Sequence, residues 1–338
     1  MSDTTLRPSP RTQSSPEPDP GTRQRFRLPL WQSVGPVVIF VAMLVAVSAL
    51  TPAFLGSGGI AIIAGSAAPI LLVALGQSMV LNVGSIDLSN AAITLFGAIL
   101  LAMTMAPLGL AAPLVMLVVV SAFGAVNGLI VANAQVPSFA LTLGTLGIFQ
   151  AAALVLSGST TVYVSENREL ISTLYQTGIA GIPLTFCIGV LVAAALWAML
   201  RFTRLGQSVT AVGKNESGAI FAGVRNRRVK VIVFALSGLM AGLASLAIIA
   251  QAGSASPTGL GSDLLLPGIA AALVGGTSIS GGVTNPLNVI FGALTVALIP
   301  IATAAMGVAA QAQSLVYGIV IIAVVALTMT RSRSAIIK

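Results

Sequence analysis

The sequence predicts an all-α protein that crosses a membrane many times, and three observations carry that prediction. Only 7% of its 338 residues are charged, against roughly 25% in ordinary soluble domains. Hydrophobic residues make up 56% and fall in long blocks instead of at core-facing periods. Those blocks recur at about the 20 residues that an α-helix needs to span a hydrocarbon core about 30 Å thick. A water-facing surface cannot be assembled from this composition, so lipid is the solvent for most of the chain.

Taken in order, residues 2 to about 30 carry six prolines (Pro8, Pro10, Pro16, Pro18, Pro20, Pro29) among Ser, Thr and Arg. The 1–30 segment is therefore expected to be a disordered tail. It is too long and too polar for the start of a secretory signal, so the first hydrophobic block is expected to be retained as a helix. Within a 31–330 transmembrane domain, spans are predicted over 33–54, 59–83, 91–106, 111–133 and 138–157, then 182–200, 229–251, 264–281, 286–307 and 312–329. That makes about ten, or eight if one short hairpin fails to cross. The third and eighth are short and border glycine- or serine-rich stretches, which makes each a candidate broken or re-entrant helix.

Orientation follows from Lys and Arg, which concentrate in cytoplasmic segments. Fifteen of the sixteen lie in the tail (Arg7, Arg11, Arg23, Arg25, Arg27), in the 201–228 loop and its edge (Arg201, Arg204, Lys214, Arg225, Arg227, Arg228, Lys230), and at the 331–338 terminus (Arg331, Arg333, Lys338). All three are expected in the cytoplasm. Arg168, beside Glu166 and Glu169, marks 158–181 as external. Two cytoplasmic ends require an even number of crossings, which ten or eight satisfies. The net charge of +8 is thus explained by topology, and no nucleic-acid surface is implied.

Enzyme chemistry is poorly supplied. There are no histidines, one cysteine (Cys187) and eight acidic residues, which disfavours a metal site or a nucleophilic triad. Gly213-Lys214 invites a phosphate-loop reading, but Ser208 stands where that motif needs glycine and Asn215 follows the lysine. ATP, if used, is hydrolysed elsewhere.

Two polar interruptions carry what chemistry there is. Asp87 is the single ionisable residue within the first five spans, in Asn82-Val-Gly-Ser-Ile-Asp-Leu-Ser-Asn90. A carboxylate at membrane depth costs about 2.5–3.5 kcal/mol on insertion scales, so it caps a half-helix, faces a polar cavity or meets water. Capping fits best, because Gly84 and Ser85 interrupt one helix, and Asp87, Ser89 or Asn90 can accept from the orphan N–H groups of the next. The second interruption is Gly275-Gly-Thr-Ser-Ile-Ser-Gly-Gly282. Each follows a run begun by proline (Pro69, Pro267), contains Ser-Ile and precedes Phe-Gly-Ala, a faint internal repeat of two halves. Paired interruptions of this kind point to a translocation pathway, with Asn82, Asp87, Ser89, Asn90, Thr277, Ser278 and Ser280 as its candidate residues. Two GxxxG stripes, Gly124 to Gly128 and Gly238 to Gly242, allow close helix approach. The 201–228 loop mixes basic residues with Ile220, Phe221 and Val224, as a short docking helix does.

On these motifs the chain resembles the ribose-type permeases of ATP-binding-cassette importers. The resemblance runs over most of 60–330: Gly84-Ser-Ile-Asp-Leu-Ser89, then Thr203-Arg-Leu-Gly206 with Ala211-Val-Gly-Lys-Asn-Glu216 and Gly223-Val224, then Ile269-Ala-Ala with Gly275 to Gly282. It implies a dimeric membrane core (two like or paralogous copies) in a bacterial inner membrane. It also implies a cytoplasmic ATPase partner that holds ATP-Mg, a periplasmic or lipid-anchored solute-binding protein, and no cofactor on this chain. Lys214, Asn215, Glu216, Gly218, Phe221, Gly223 and Val224 would form the coupling segment, and the two interruptions would flank the pathway. Ser85, and Leu265-Leu266-Pro267-Gly268, depart from the Gly and the acidic segment common in relatives. A permease for branched-chain amino acids or nucleosides shares this architecture. An ion-coupled transporter would need more intramembrane ionisable residues, and a non-transporting scaffold leaves the interruptions unexplained.

Overall fold

In a computed structural model of the chain, the described residues are 29–328 except 53–55, 135, 259–261 and 310–311. Nearly all of the predicted tail and the 331–338 terminus lie outside them. The helices are α1 (Pro29–Leu50), α2 (Ser57–Asn82), α3 (Asn90–Leu108), α4 (Ala111–Ala134), α5 (Ser138–Leu156), α6 (Arg168–Gln176), α7 (Leu184–Phe202), α8 (Arg204–Lys214), α9 (Glu216–Phe221), α10 (Asn226–Ala252), α11 (Leu265–Val274), α12 (Pro286–Ala305) and α13 (Gln313–Thr328). Among the described residues, seven are long and apolar enough to cross a membrane: α2, α3, α4, α5, α7, α10 and α12. Three shorter apolar helices accompany them: Val34–Leu50 within α1, α11, and Gln313–Ala323 within α13.

The third predicted span is an unbroken 19-residue helix, because its interruption falls before Asn90. The eighth is broken, the alternative its bordering glycines offered. Of 264–281, only Leu265–Val274 is α-helical, ten residues that rise about 15 Å, half a bilayer core. The glycines after it end the helix: Gly276, Gly281 and Gly282 have φ of +86°, +87° and +74°, values that residues with a Cβ avoid.

The centre of the bundle is α10, packed against α2, α3 and α4. The two glycine stripes meet each other here, within one chain. A Cβ on Gly124 would overlap the Phe234 carbonyl oxygen and lie 3.0 Å from the Gly238 nitrogen, and one on Gly238 would overlap the Val120 carbonyl oxygen. Backbone therefore touches backbone along α4 and α10, the contact small residues permit where no hydrophobic force joins helices. Gly292 brings α12 onto α11 in the same way, against Ala271. Rings of Phe96, Phe123 and Phe149 tie α3, α4 and α5, with centroids 5.2 and 4.7 Å apart. Leu114, Val118, Leu143, Ile148, Val155 and Leu191 point outward, as suits a lipid-facing surface.

The ends of the bundle differ. Between α5 and α7, the 158–181 segment predicted to be external holds β1 (Val162–Tyr163), α6 and β2 (Gly178–Ile179), and β2 forms a hairpin with β3 (Ile182–Pro183) at the start of the predicted sixth span. Its β1 pairs antiparallel with β4 (Ser254–Ala255), which follows α10. At the other end of α7, the predicted 201–228 loop is folded as two short helices, α8 and α9.

Candidate functional site

Both interruptions end their preceding helix by the same device. After α2, the Gly84 N–H donates to Leu81 O (2.8 Å) and Ser85 N–H to Val80 O (3.1 Å). After α11, Gly276 N–H donates to Leu273 O (2.9 Å) and Thr277 N–H to Ala272 O (3.0 Å). This paired closure around a left-handed glycine is the Schellman motif, and it equates Gly84 with Gly276. Ser85 then corresponds to Thr277, one residue away from the Ser-Ile register read from sequence.

The α2–α3 turn is built on Asp87, which is fully buried. One carboxylate oxygen accepts from the Ser89 N–H (3.0 Å) and the Ser89 hydroxyl (2.6 Å), and the other from the Ser237 hydroxyl on α10 (2.9 Å). The Asn90 amide donates to Ser237 Oγ (2.6 Å) and to its carbonyl (3.1 Å), while the Asn127 amide on α4 donates to Ser89 Oγ (2.9 Å). On α5, Ser138 Oγ and Thr142 Oγ1 accept from the Ile86 and Leu88 N–H groups, each at 3.0 Å. The carboxylate thus fixes Ser89, the residue just before α3, and ties this turn to α10. Ser237, Asn127, Ser138 and Thr142 are partners that sequence reasoning missed. They lie 38 to 150 residues from their acceptors or donors, on apolar helices with nothing local to mark them.

The second interruption has a different chemistry. Thr277 is buried with its hydroxyl 2.8 Å from that of Thr284, whereas Ser280 is exposed and shares a 2.8 Å contact with Ser278. Nevertheless the two interruptions touch: the Gly282 N–H donates to the Asn82 carbonyl at 2.9 Å. Gly213, in the last turn of α8, is wedged at this bond. A Cβ on Gly213 would overlap Asn82 O and lie 2.5 Å from Gly282 N. The Asn82 side chain is buried with neither polar atom hydrogen-bonded among the described residues. The predicted pathway residues therefore divide into a sealed polar network (Asp87, Ser89, Asn90), Asn82 at a backbone junction with Gly282, and the hydroxyls of Thr277, Ser278 and Ser280 at the second turn.

The predicted coupling residues make a braced projection beside that junction. Asn215 caps α9 by accepting from the Gly218 N–H at 2.9 Å. Glu216 binds the Lys230 ammonium at 2.8 Å and the Asn226 amide, fastening α9 to the start of α10. Gly223 closes α9 at φ +81° and Val224 turns back onto the core. Phe221 is 92% exposed and Ile220 53%. A rigid six-residue helix thus holds two apolar side chains outward at a polar end.

Residues 59–325 match the family profile described as branched-chain amino acid transport system / permease component. The chain is similar to the ribose import permease protein RbsC of Haemophilus influenzae, with 30% identity covering 85% of this chain and 90% of the relative. It is 32% identical to the D-allose transport system permease protein AlsC of Escherichia coli (88% and 91% covered) and 29% to the fructose import permease protein FrcC of Rhizobium meliloti (86% and 84%). No solved structure matches significantly. These relatives are transport permease components, not enzymes, and the match spans every element from α2 to most of α13. The chain is a multi-pass membrane protein that belongs to this family of transport-system permease components.

Proposed function

We infer that the chain is the membrane-spanning subunit of an ATP-driven importer for a monosaccharide or a similar small polar solute. The relatives named for ribose, allose and fructose support the solute class. In this reading the chain crosses ten times in two related halves, α11 with residues 275–285 completing the eighth crossing. Both termini and the α8–α9 end face the cytoplasm. A cytoplasmic ATPase holding ATP-Mg seats against α9, a solute-binding protein approaches the 157–183 side, and a second permease copy completes the pathway.

The observation that carries the mechanism is the contact of Gly213 with Asn82 and Gly282. Phe221 and Ile220 supply apolar knobs for a groove on the ATPase, while the Asn215 cap and the Glu216–Lys230 pair keep α9 from yielding. A push on α9 passes through α8 to the point where the end of α2 meets the second interruption. Opening and closing of the Asn82–Gly282 junction is then one step of alternating access. No proton relay enters, and Asp87 serves as a structural acceptor.

The test is co-reconstitution with the ATPase and binding protein, measuring uptake of ribose, allose, fructose and leucine alongside solute-stimulated ATP hydrolysis. Phe221→Asp, Glu216→Lys, or a bulky residue at Gly218 or Gly223 should leave the permease in the membrane and abolish stimulated hydrolysis. Survival of stimulated hydrolysis in all four variants would refute coupling through α9. Uptake of leucine alone would assign the chain to amino acids.

A further inference from the structure

The α8–α9 end carries far more cations than acids. Arg201, Arg204, Lys214, Arg225, Arg227, Arg228 and Lys230 face Glu216, and Glu216 is already paired with Lys230. Two of the remaining cations converge on one cavity. It has a volume of about 350 Å³ and lies between the end of α7, the end of α8 and the start of α12. Arg201 and Lys214 line it together with Thr210 and Asn285, and no carboxylate among the described residues lies within ion-pair distance of either cation. The aliphatic stem of Lys214 runs over Gly282, where even a Cβ would come within 2.5 Å of Lys214 Cγ. The absence of a side chain at Gly282 thus makes room for the Lys214 stem at the cavity's edge. One helical turn before Arg201, Trp197 forms an apolar wall with Leu200, and its ring packs edge-on against Phe202 at 5.7 Å. Phe202 is itself largely exposed.

A cavity with unpaired cations at the bundle's end and an aromatic wall one turn deeper matches an amphiphile with a phosphate head and an acyl body. We propose that this cavity binds a phosphate-bearing anion, supplied by an anionic phospholipid headgroup of the adjacent leaflet. Arg201 grips the phosphate with its planar fork and Lys214 adds a point charge, while Trp197 sits at the interfacial depth where aromatic rings collect. Basic pockets between membrane helices recognise headgroups in this way. Because Lys214 lies across Gly282, the bound headgroup adjoins the Asn82–Gly282 junction. The site stands on the cavity itself, whichever solute the chain carries.

The test places the full chain, carrying Trp31→Phe so that Trp197 is its sole tryptophan, in phosphatidylcholine nanodiscs. Quenching by headgroup-proximal spin-labelled phosphatidylglycerol is compared with quenching by spin-labelled phosphatidylcholine. At roughly 1 kcal/mol for each basic residue near the surface, two cations give phosphatidylglycerol an advantage of about 30-fold in the mole fraction for half-quenching. Arg201→Gln with Lys214→Gln should remove that preference, and Arg227→Gln with Arg228→Gln, an equal loss of charge outside the cavity, should leave most of it. Arg201→Lys with Lys214→Arg should keep it, which separates lost binding from lost folding. A preference abolished by millimolar inorganic phosphate would assign the site to the free anion and overturn the lipid source. Equal quenching by both lipids, or equal loss in the two double variants, would overturn the site.

Discussion

Replacing Gly213 by alanine adds one methyl group at the point where α8 meets both interruptions. That methyl would overlap the Asn82 carbonyl oxygen and approach the Gly282 nitrogen to 2.5 Å. Both obstacles are backbone atoms, so a rotamer change cannot relieve them. Overpacking costs about 1–3 kcal/mol, and losing the Gly282-to-Asn82 hydrogen bond adds about 0.5–1.5 kcal/mol. If the junction is closed in one transport state and open in the other, a bias of about 1.5–4.5 kcal/mol shifts their ratio by roughly 10- to 2000-fold. Gly144→Ala is the matched control, because nothing lies within 4 Å of a Cβ at that helical position and alanine is the better helix former by about 1 kcal/mol. The assay follows the alkylation rate of Ser278→Cys in purified protein carrying Cys187→Ser. Gly213→Ala should raise that rate at least about tenfold, and Gly144→Ala should leave it unchanged. Equal rates and equal heat tolerance in the two variants would refute the argument that Gly213 guards the junction.

Asp87→Ala strips the acceptor from three buried donors, the Ser89 N–H and the Ser89 and Ser237 hydroxyls, at about 1–3 kcal/mol each. Yield and heat-surviving fraction should fall with solute preference unaltered; a normal yield with altered preference would place Asp87 in the solute site. Gly238→Val drives a side chain into the Val120 carbonyl and should sharply reduce monodisperse protein, whereas Gly147→Val, with open space around its Cβ, should not. A cysteine at exposed Thr177 should react with an impermeant reagent on intact cells and one at exposed Ser217 should not. The opposite labelling pattern would invert the membrane orientation and remove α9 from the ATPase side.

The long spans were legible because lipid imposes a length and excludes charge, constraints written locally in each stretch. The ends of α2, α4, α5, α7 and α10 fall within three residues of the predicted boundaries for that reason. The two interruptions were legible from their glycines, since Gly84 and Gly276 both adopt positive φ. That they touch was not, because the contact is a main-chain hydrogen bond between Gly282 and Asn82 that no side chain encodes. Asp87 announced itself by its cost in a membrane, but Ser237 lies 150 residues away in an apolar helix where serine is unremarked. The length of α11 was overestimated because Thr277 to Ser280 continue its polarity-tolerant run, and hydropathy does not register the left-handed turn at Gly276. The β1–β4 pairing joins two-residue strands, too short for any alternation to show.

The placement of α10 has a consequence for how the protein is made. Helices α2, α3 and α4 leave the ribosome before α10, yet surfaces they bury belong to that helix, encoded roughly a hundred residues after α4 ends, a delay of about 5–20 s at ordinary synthesis rates. During that interval Gly124 and Gly128 present a bare backbone groove to lipid, and the Asp87 carboxylate lacks the Ser237 hydroxyl that completes its coordination. The first half of the chain can hold Asp87 with Ser89, and Ser89 with Asn127, but it cannot close the groove. A chain synthesised in this order has one glycine-lined seam without its partner until α10 is made.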